Sequence, residues 1–147
     1  MRPNFGKAVL GGLLGTVVLT LMMKFVAPMM GVHMDIAHDL AKMMHAPWAA
    51  GMAAHFMNGT LVFPAIFTFM LYRILPGAPV VKGLFWGGIL WFMLEIAVMP
   101  MLGMGVFGSA GPGMKGAAAA LLAHLVYGGI FGAVAGKALQ TTRSAAT

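Results

Sequence analysis

The run Gly6-Lys-Ala-Val-Leu-Gly-Gly-Leu-Leu-Gly-Thr-Val-Val-Leu-Thr-Leu-Met-Met-Lys-Phe-Val-Ala27 carries only two charges, Lys7 and Lys24, before it stops at Pro28. At a rise of about 1.5 Å per residue, roughly 20 helical residues cross the hydrocarbon core of a bilayer. This run is long enough. Three more follow, at about 47–74, 80–99 and 117–139. Backbone groups inside lipid must be satisfied within their own segment, so helices are expected. The second run exceeds the length required, which predicts tilt or a start in the interface. Pro64 should bend it.

Composition agrees. The chain has 147 residues, 61% hydrophobic and 8% charged, with a mean hydropathy of +0.92. A soluble domain needs about a quarter of its residues charged, whereas here Asp35, Asp39 and Glu95 are the only acids. The length suits one bundle (1–147) with no separate soluble domain. A net charge of +6 does not point to nucleic acid, because the cations stand singly at the ends of apolar runs rather than on one face. With no cysteine there is no disulfide framework, thiolate ligand or cysteine nucleophile. The first run is too long for a signal-peptide core and is read as a retained helix.

Arg2 and Lys7 precede the first run, Arg73 and Lys82 flank the turn Leu75-Pro-Gly-Ala-Pro79, and Lys137 and Arg143 follow the last. Only Lys42 and Lys115 lie in the opposite loops. Cations collect on the cytoplasmic side, so both termini are expected there and loops 28–46 and 100–116 outside. Within the first loop, Asp35-Ile-Ala-His-Asp-Leu-Ala-Lys-Met-Met-His45 puts Ile36, Leu40, Met43 and Met44 on one stripe, with Asp35, His38, Asp39 and Lys42 largely elsewhere. That pattern predicts a short amphipathic helix on the membrane surface.

The halves look alike. Pro28-Met-Met-Gly31 recurs as Pro100-Met-Leu-Gly103, His55-Phe-Met-Asn-Gly59 as His124-Leu-Val-Tyr-Gly128, and Lys7 as Lys82, at offsets of 72, 69 and 75. The expected architecture is all-α: four transmembrane helices as a parallel duplicated helical hairpin, with repeats near 6–74 and 80–139 and a tail at 140–147. The repeats would be related by an axis along the membrane normal. Gly11-x-x-x-Gly15, Gly83-x-x-x-Gly87 and Gly128-x-x-x-Gly132-x-x-x-Gly136 let helices approach closely; no strand-to-helix glycine loop suggests a nucleotide site.

Lys24, His55, Glu95 and His124 are the ionisable residues in or beside the apolar runs. Glu95 and His124 are each 13 residues from a flanking lysine, about 20 Å from the cytoplasmic edge. His55 and Lys24 fall about 27 and 25 Å from it. The four form a candidate polar cluster in the outer half of the bilayer. Charge buried there is costly and calls for a partner, with Lys24 or His124 the candidate for Glu95. The alternatives for Glu95 are a pair that fixes helix register and a proton or ligand role.

His55 and His124 could face one another and hold haem b, form a metal or proton site, or merely hydrogen-bond loop carbonyls. Sixteen methionines, many toward the outer side with His33, His38 and His45, raise a copper reading in which Met99 joins the imidazoles. Methionine is also an adaptable filler, and no regular array of it occurs. Catalytic templates are missing: no Ser–His–Asp set, no HExxH and no paired carboxylates at helical spacing. An enzyme is not expected.

His55-Phe-Met-Asn-Gly59-Thr60, Met99-Pro-Met-Leu-Gly-Met-Gly105 and His124-Leu-Val-Tyr-Gly128 resemble a YagU-like group of small bacterial inner-membrane proteins, over most of the chain. The resemblance implies a four-helix protein of the bacterial inner (cytoplasmic) membrane with no assigned reaction, and no catalytic residue is carried over. Three functions stay open: a non-catalytic accessory subunit or small-ligand binder of a membrane complex, such as a respiratory one; a haem- or copper-binding redox protein using His55 and His124; and a proton or solute transporter using Glu95. The expected partners are the lipid bilayer and a homo-oligomer or larger membrane complex, not nucleic acid.

Overall fold

The computed structural model describes residues 4–144, with side chains to residue 136. Arg2, the side chains of Lys137 and Arg143, and the last three residues (145–147) of the tail expected at 140–147 lie outside the described residues. Helix makes up 80% of the structure, with no strand among the described residues. In chain order the elements are α1 (Phe5–Met29), α2 (Ile36–Met43), α3 (Trp48–Leu71), α4 (Pro79–Met101) and α5 (Gly113–Ser144). All but α2 contain a segment long and apolar enough to cross a membrane. α5 begins at Gly113 rather than near 117, because Met114-Lys115-Gly116 continue the helix into its polar end.

α1 starts where the Asn4 side chain accepts the Lys7 N–H at 3.2 Å, satisfying one of the free donors of a helix start. Its inner face is small: Gly11, Gly12, Gly15 and Thr16 are buried, while Leu10, Leu13, Leu14 and Val17 point outward. Lipid is as apolar as leucine, so close backbone approach rather than hydrophobicity selects the packed face.

Each hairpin crosses on glycine. A Cβ at Gly12 would strike the Gly59 carbonyl oxygen of α3, and one at Gly83 would strike the Gly128 carbonyl oxygen of α5. At the loop end the correspondence continues. Gly31 (φ 74°) and Gly103 (φ 75°) close α1 and α4 in the left-handed conformation. Val32 N–H donates to Ala27 O and Met104 N–H to Met99 O, both at 3.0 Å, the six-to-one bond of a glycine C-cap.

Three prolines sit inside the spanning helices, and each is preceded by a π-helical turn: Met22–Val26 before Pro28, Asn58–Val62 before Pro64, Leu94–Val98 before Pro100. The residue just before the proline donates five residues back: Ala27 to Met22, Phe63 to Asn58, Met99 to Leu94. A proline ring clashes with the carbonyl four residues earlier. One extra residue in the turn shifts that carbonyl aside. The helix around Pro64 therefore continues, widened. A fourth π turn, Phe67–Leu71, has no proline directly after it.

The helices meet at two unlike seams. Along α1 and α5, a Cβ at Gly11 would lie 3.0 Å from the Phe131 carbonyl oxygen and one at Gly15 2.7 Å from the Tyr127 ring. The core fills in behind, with Phe67 and Phe131 edge to face at 4.7 Å between ring centroids. α3 and α4 instead meet through bulk: Trp86 lies 6.2 Å from Phe63 and 6.4 Å from Phe67, ring to ring. Matching Gly12 to Gly83 by their crossings gives an offset of 71, and on that register Gly15 corresponds to Trp86. A hydrogen atom in one half becomes an indole in the other.

Candidate functional site

Toward the loop end from Trp86, a cleft of about 380 Å³ separates α3 from α4. Small-ligand sites typically measure roughly 300–1,000 Å³ and are largely apolar. Phe63 and Ile66 form one wall, Leu90 and Leu94 the other, and Tyr127 and Thr16 the floor. Met93, also in the lining, is 50% exposed, so the cleft reaches the lipid-facing surface.

α2 roofs it. Ile36 and Leu40 line the cleft, so half of the expected apolar stripe covers an internal space rather than only the membrane surface. The helix can lie against α3 because Gly51 has no side chain: a Cβ there would strike the Ala37 carbonyl oxygen. Asp35 caps the start, accepting from the His38 N–H at 3.1 Å and from the Trp48 indole at 2.9 Å. Burial pushes the Asp35 carboxyl up, but those two donors and the Ala37 N–H outweigh it and hold it below its ordinary 3.8. Asp39, expected on the polar face, is only 7% exposed, and burial raises its carboxyl above the ordinary 3.8.

Of the four ionisable residues expected to cluster, the structure brings two together. His55 and His124 both line the cleft. His124 Nδ1 lies 2.8 Å from the Ala120 carbonyl oxygen, and His55 Nε2 lies 2.9 Å from the Thr20 hydroxyl oxygen. Lys24 is not in the cleft; it is exposed, its ammonium 5.7 Å from the centroid of the Phe25 ring. Its counterpart at an offset of 72, Ile96, is exposed too, and both prolong the lipid-facing side. Glu95 lies in the π turn Leu94–Val98 and is 1% exposed. With Lys24 turned to lipid, the expected Lys24–Glu95 pair does not form.

Nor does the copper set assemble. Met99 is buried at 1% exposure, whereas His33 and His38 border a separate groove of about 420 Å³ with Asp35, Asp39, Met34 and Met104. His45 holds a backbone role instead: at φ 52° it is the left-handed residue after α2, and Ala46 N–H donates to Ala41 O at 2.9 Å across it. Among the described residues, no three His, Cys, Asp or Glu side chains stand close enough to hold a metal ion.

Two contributors escaped the sequence reading. Thr20 orients His55, and Trp86 both spreads the helices and carries a buried indole N–H with no hydrogen-bond partner. A hydroxyl one helical turn from Thr16 was the available signal for the first. The glycine-to-tryptophan change between the halves becomes a signal for the second only once the crossings fix the offset of 71.

Residues 3–146 match a family described as a family of unknown function, DUF6789. The chain belongs to that family. No curated protein and no solved structure matches it. Membership covers the whole four-helix unit, cleft included.

Proposed function

We propose that the protein is a non-catalytic binder of a small amphiphile in the bacterial inner membrane, with both termini cytoplasmic. One observation carries this reading: an apolar cleft of about 380 Å³ between α3 and α4, with His55 and His124 as polar groups on its wall. Such a binder can serve alone, as a homo-oligomer, or as an accessory subunit of a larger membrane complex, such as a respiratory one. The likeness to YagU-like proteins supports the same membrane and adds no reaction. Purification in mild detergent followed by mass spectrometry of the extracted small molecules tests it. A bound amphiphile that disappears when Leu90→Trp fills the cleft is the expected result; a ligand-free protein that takes up nothing from a membrane extract defeats the reading. Partners recovered alongside decide between the solitary and subunit forms.

A second reading draws on the hydrogen bonds behind the imidazoles. Metal-ligating histidines commonly donate their other N–H to a carbonyl or another acceptor, as His124 does to Ala120. His55 and His124 would then hold haem b or copper. The optical spectrum and elemental analysis of the purified protein test this. A colourless, metal-free preparation that takes up neither cofactor rules it out. Transport through Glu95 is the third reading, supported by a carboxyl at 1% exposure in a widened turn. It expects Glu95→Gln to abolish a proton or solute flux in proteoliposomes.

A further inference from the structure

We infer that the cleft selects amphiphiles whose ring-shaped head carries a free hydroxyl, a phenol or quinol, over the same molecule with that hydroxyl capped or oxidised away. This rests on the small-ligand reading above and adds the chemistry of the ligand's head.

Counting hydrogens fixes both tautomers. A carbonyl oxygen only accepts, so Ala120 O, 2.8 Å from His124 Nδ1, places the ring hydrogen on Nδ1 and leaves Nε2 a bare acceptor. Thr20 has one hydroxyl hydrogen and gives it to Thr16 O at 2.7 Å. Its oxygen therefore accepts from His55 Nε2–H at 2.9 Å, and Nδ1 of that ring is left bare. Neither tautomer can reverse without breaking a bond to the backbone or to a hydroxyl already committed to it. The hydroxyls of the lining itself are spent in the same way: Thr16 on Gly12 O at 2.7 Å, Tyr127 on Gly59 O at 2.9 Å.

Two imidazole lone pairs therefore remain, and they call for a donor. A hydroxyl meets that demand and can also accept, from the Asn58 amide in the lining. An ether or a quinone carbonyl can only accept, and a buried acceptor facing another acceptor loses its solvation without replacement. Phe63, Trp86 and Tyr127 supply the apolar surface that suits a ring, and the opening at Met93 lets a tail run into lipid. No electron transfer is invoked; the preference is one of recognition.

The test uses the full chain in lipid nanodiscs and three probes: a decyl-substituted hydroquinone kept reduced, its dimethyl ether, and the matching quinone. Retention by loaded over empty nanodiscs gives relative affinities. The hydroquinone should be held at least tenfold more tightly than either relative. His124→Phe and His55→Phe should each shrink that gap by lowering hydroquinone retention. In the unmodified protein, ¹⁵N-histidine spectra should show two bare ring nitrogens whose resonances move with the hydroquinone and stay with the ether, a readout independent of whether the variants fold. Equal retention of all three probes overturns the hydroxyl selectivity and leaves the small-ligand reading standing. Retention of none overturns both.

Discussion

The α1–α5 seam and the α3–α4 seam occupy equivalent places in the two hairpins and end up opposite in character. In the first, Gly11 and Gly15 bring backbone against the Tyr127 and Phe131 positions. In the second, Trp86 stands where the register places Gly15, meets Phe63 and Phe67, and holds the helices apart beyond that level. Equivalent scaffolds thus produce a sealed contact and a cleft, and the two differ in side-chain size along the seam, most at Gly15 and Trp86. In lipid, where hydrophobicity does not pull helices together, side-chain size at the crossing decides which seam shuts.

That contrast can be broken from either side. Trp86→Ala should have the largest effect, a loss of about 3 kcal/mol in detergent unfolding, as for other large-to-small core changes. It should also let α3 and α4 approach. Because the chain has no cysteine, a pair introduced at Asn58 and Leu90 reports the approach through a faster cross-link. An unchanged cross-linking rate would mean that Trp86 fills space without spreading the seam.

Gly15→Leu attacks the sealed side and should cost about 2–3 kcal/mol by overpacking. Gly88→Leu, where a Cβ meets nothing within 4 Å, is the matched control and should change stability by less than about 0.5 kcal/mol. Equal effects in the two variants would remove the distinction between packed and free glycines. Tyr127→Phe removes only the bond to Gly59 O, and about 1 kcal/mol is expected.

The smallest effect concerns the roof. Asp39 has its carboxyl raised by burial, so its charge disfavours the docked α2. The penalty is absent below the ordinary 3.8, grows as pH climbs to the raised value and is full above it. Asp35 works in the other direction: held below 3.8, it supports the cap above that pH and loses its contribution as pH falls through the lowered value. Hydrogen exchange over Ile36–Met43 at neutral pH should therefore slow in Asp39→Asn. Faster exchange in that variant would show that the buried carboxylate holds the roof down.

The spanning runs were legible because composition and length alone identify them, and the glycine turn after Pro28 and Pro100 because its residues repeat. The placing of His55 and His124 toward the loop end was also readable, since depth in a helix is a matter of residue number. Azimuth was not. Lys24 faces lipid rather than Glu95, and Asp39 lies inward, because facing depends on crossings that no single helix encodes. The bonds to Thr20 and Ala120 depend on the same crossings and on a rotamer, so only the histidines themselves could be named in advance. Trp86 could have been singled out, but only with the offset of 71 that the crossings define.

The widened turns ahead of the prolines have a consequence for how such a chain can change. An added residue advances a helix by about 100°, so each π turn acts as a phase joint between two faces. In α1 and α4 the joint lies between the glycine crossing and the capped loop end. The interior contacts and the surface that carries the loops are therefore clocked separately. Removing a single residue from Met22–Val26 or Leu94–Val98 would rotate the cap relative to the crossing without touching either. One-residue indels at these two places are the economical way for this fold to re-aim its roof.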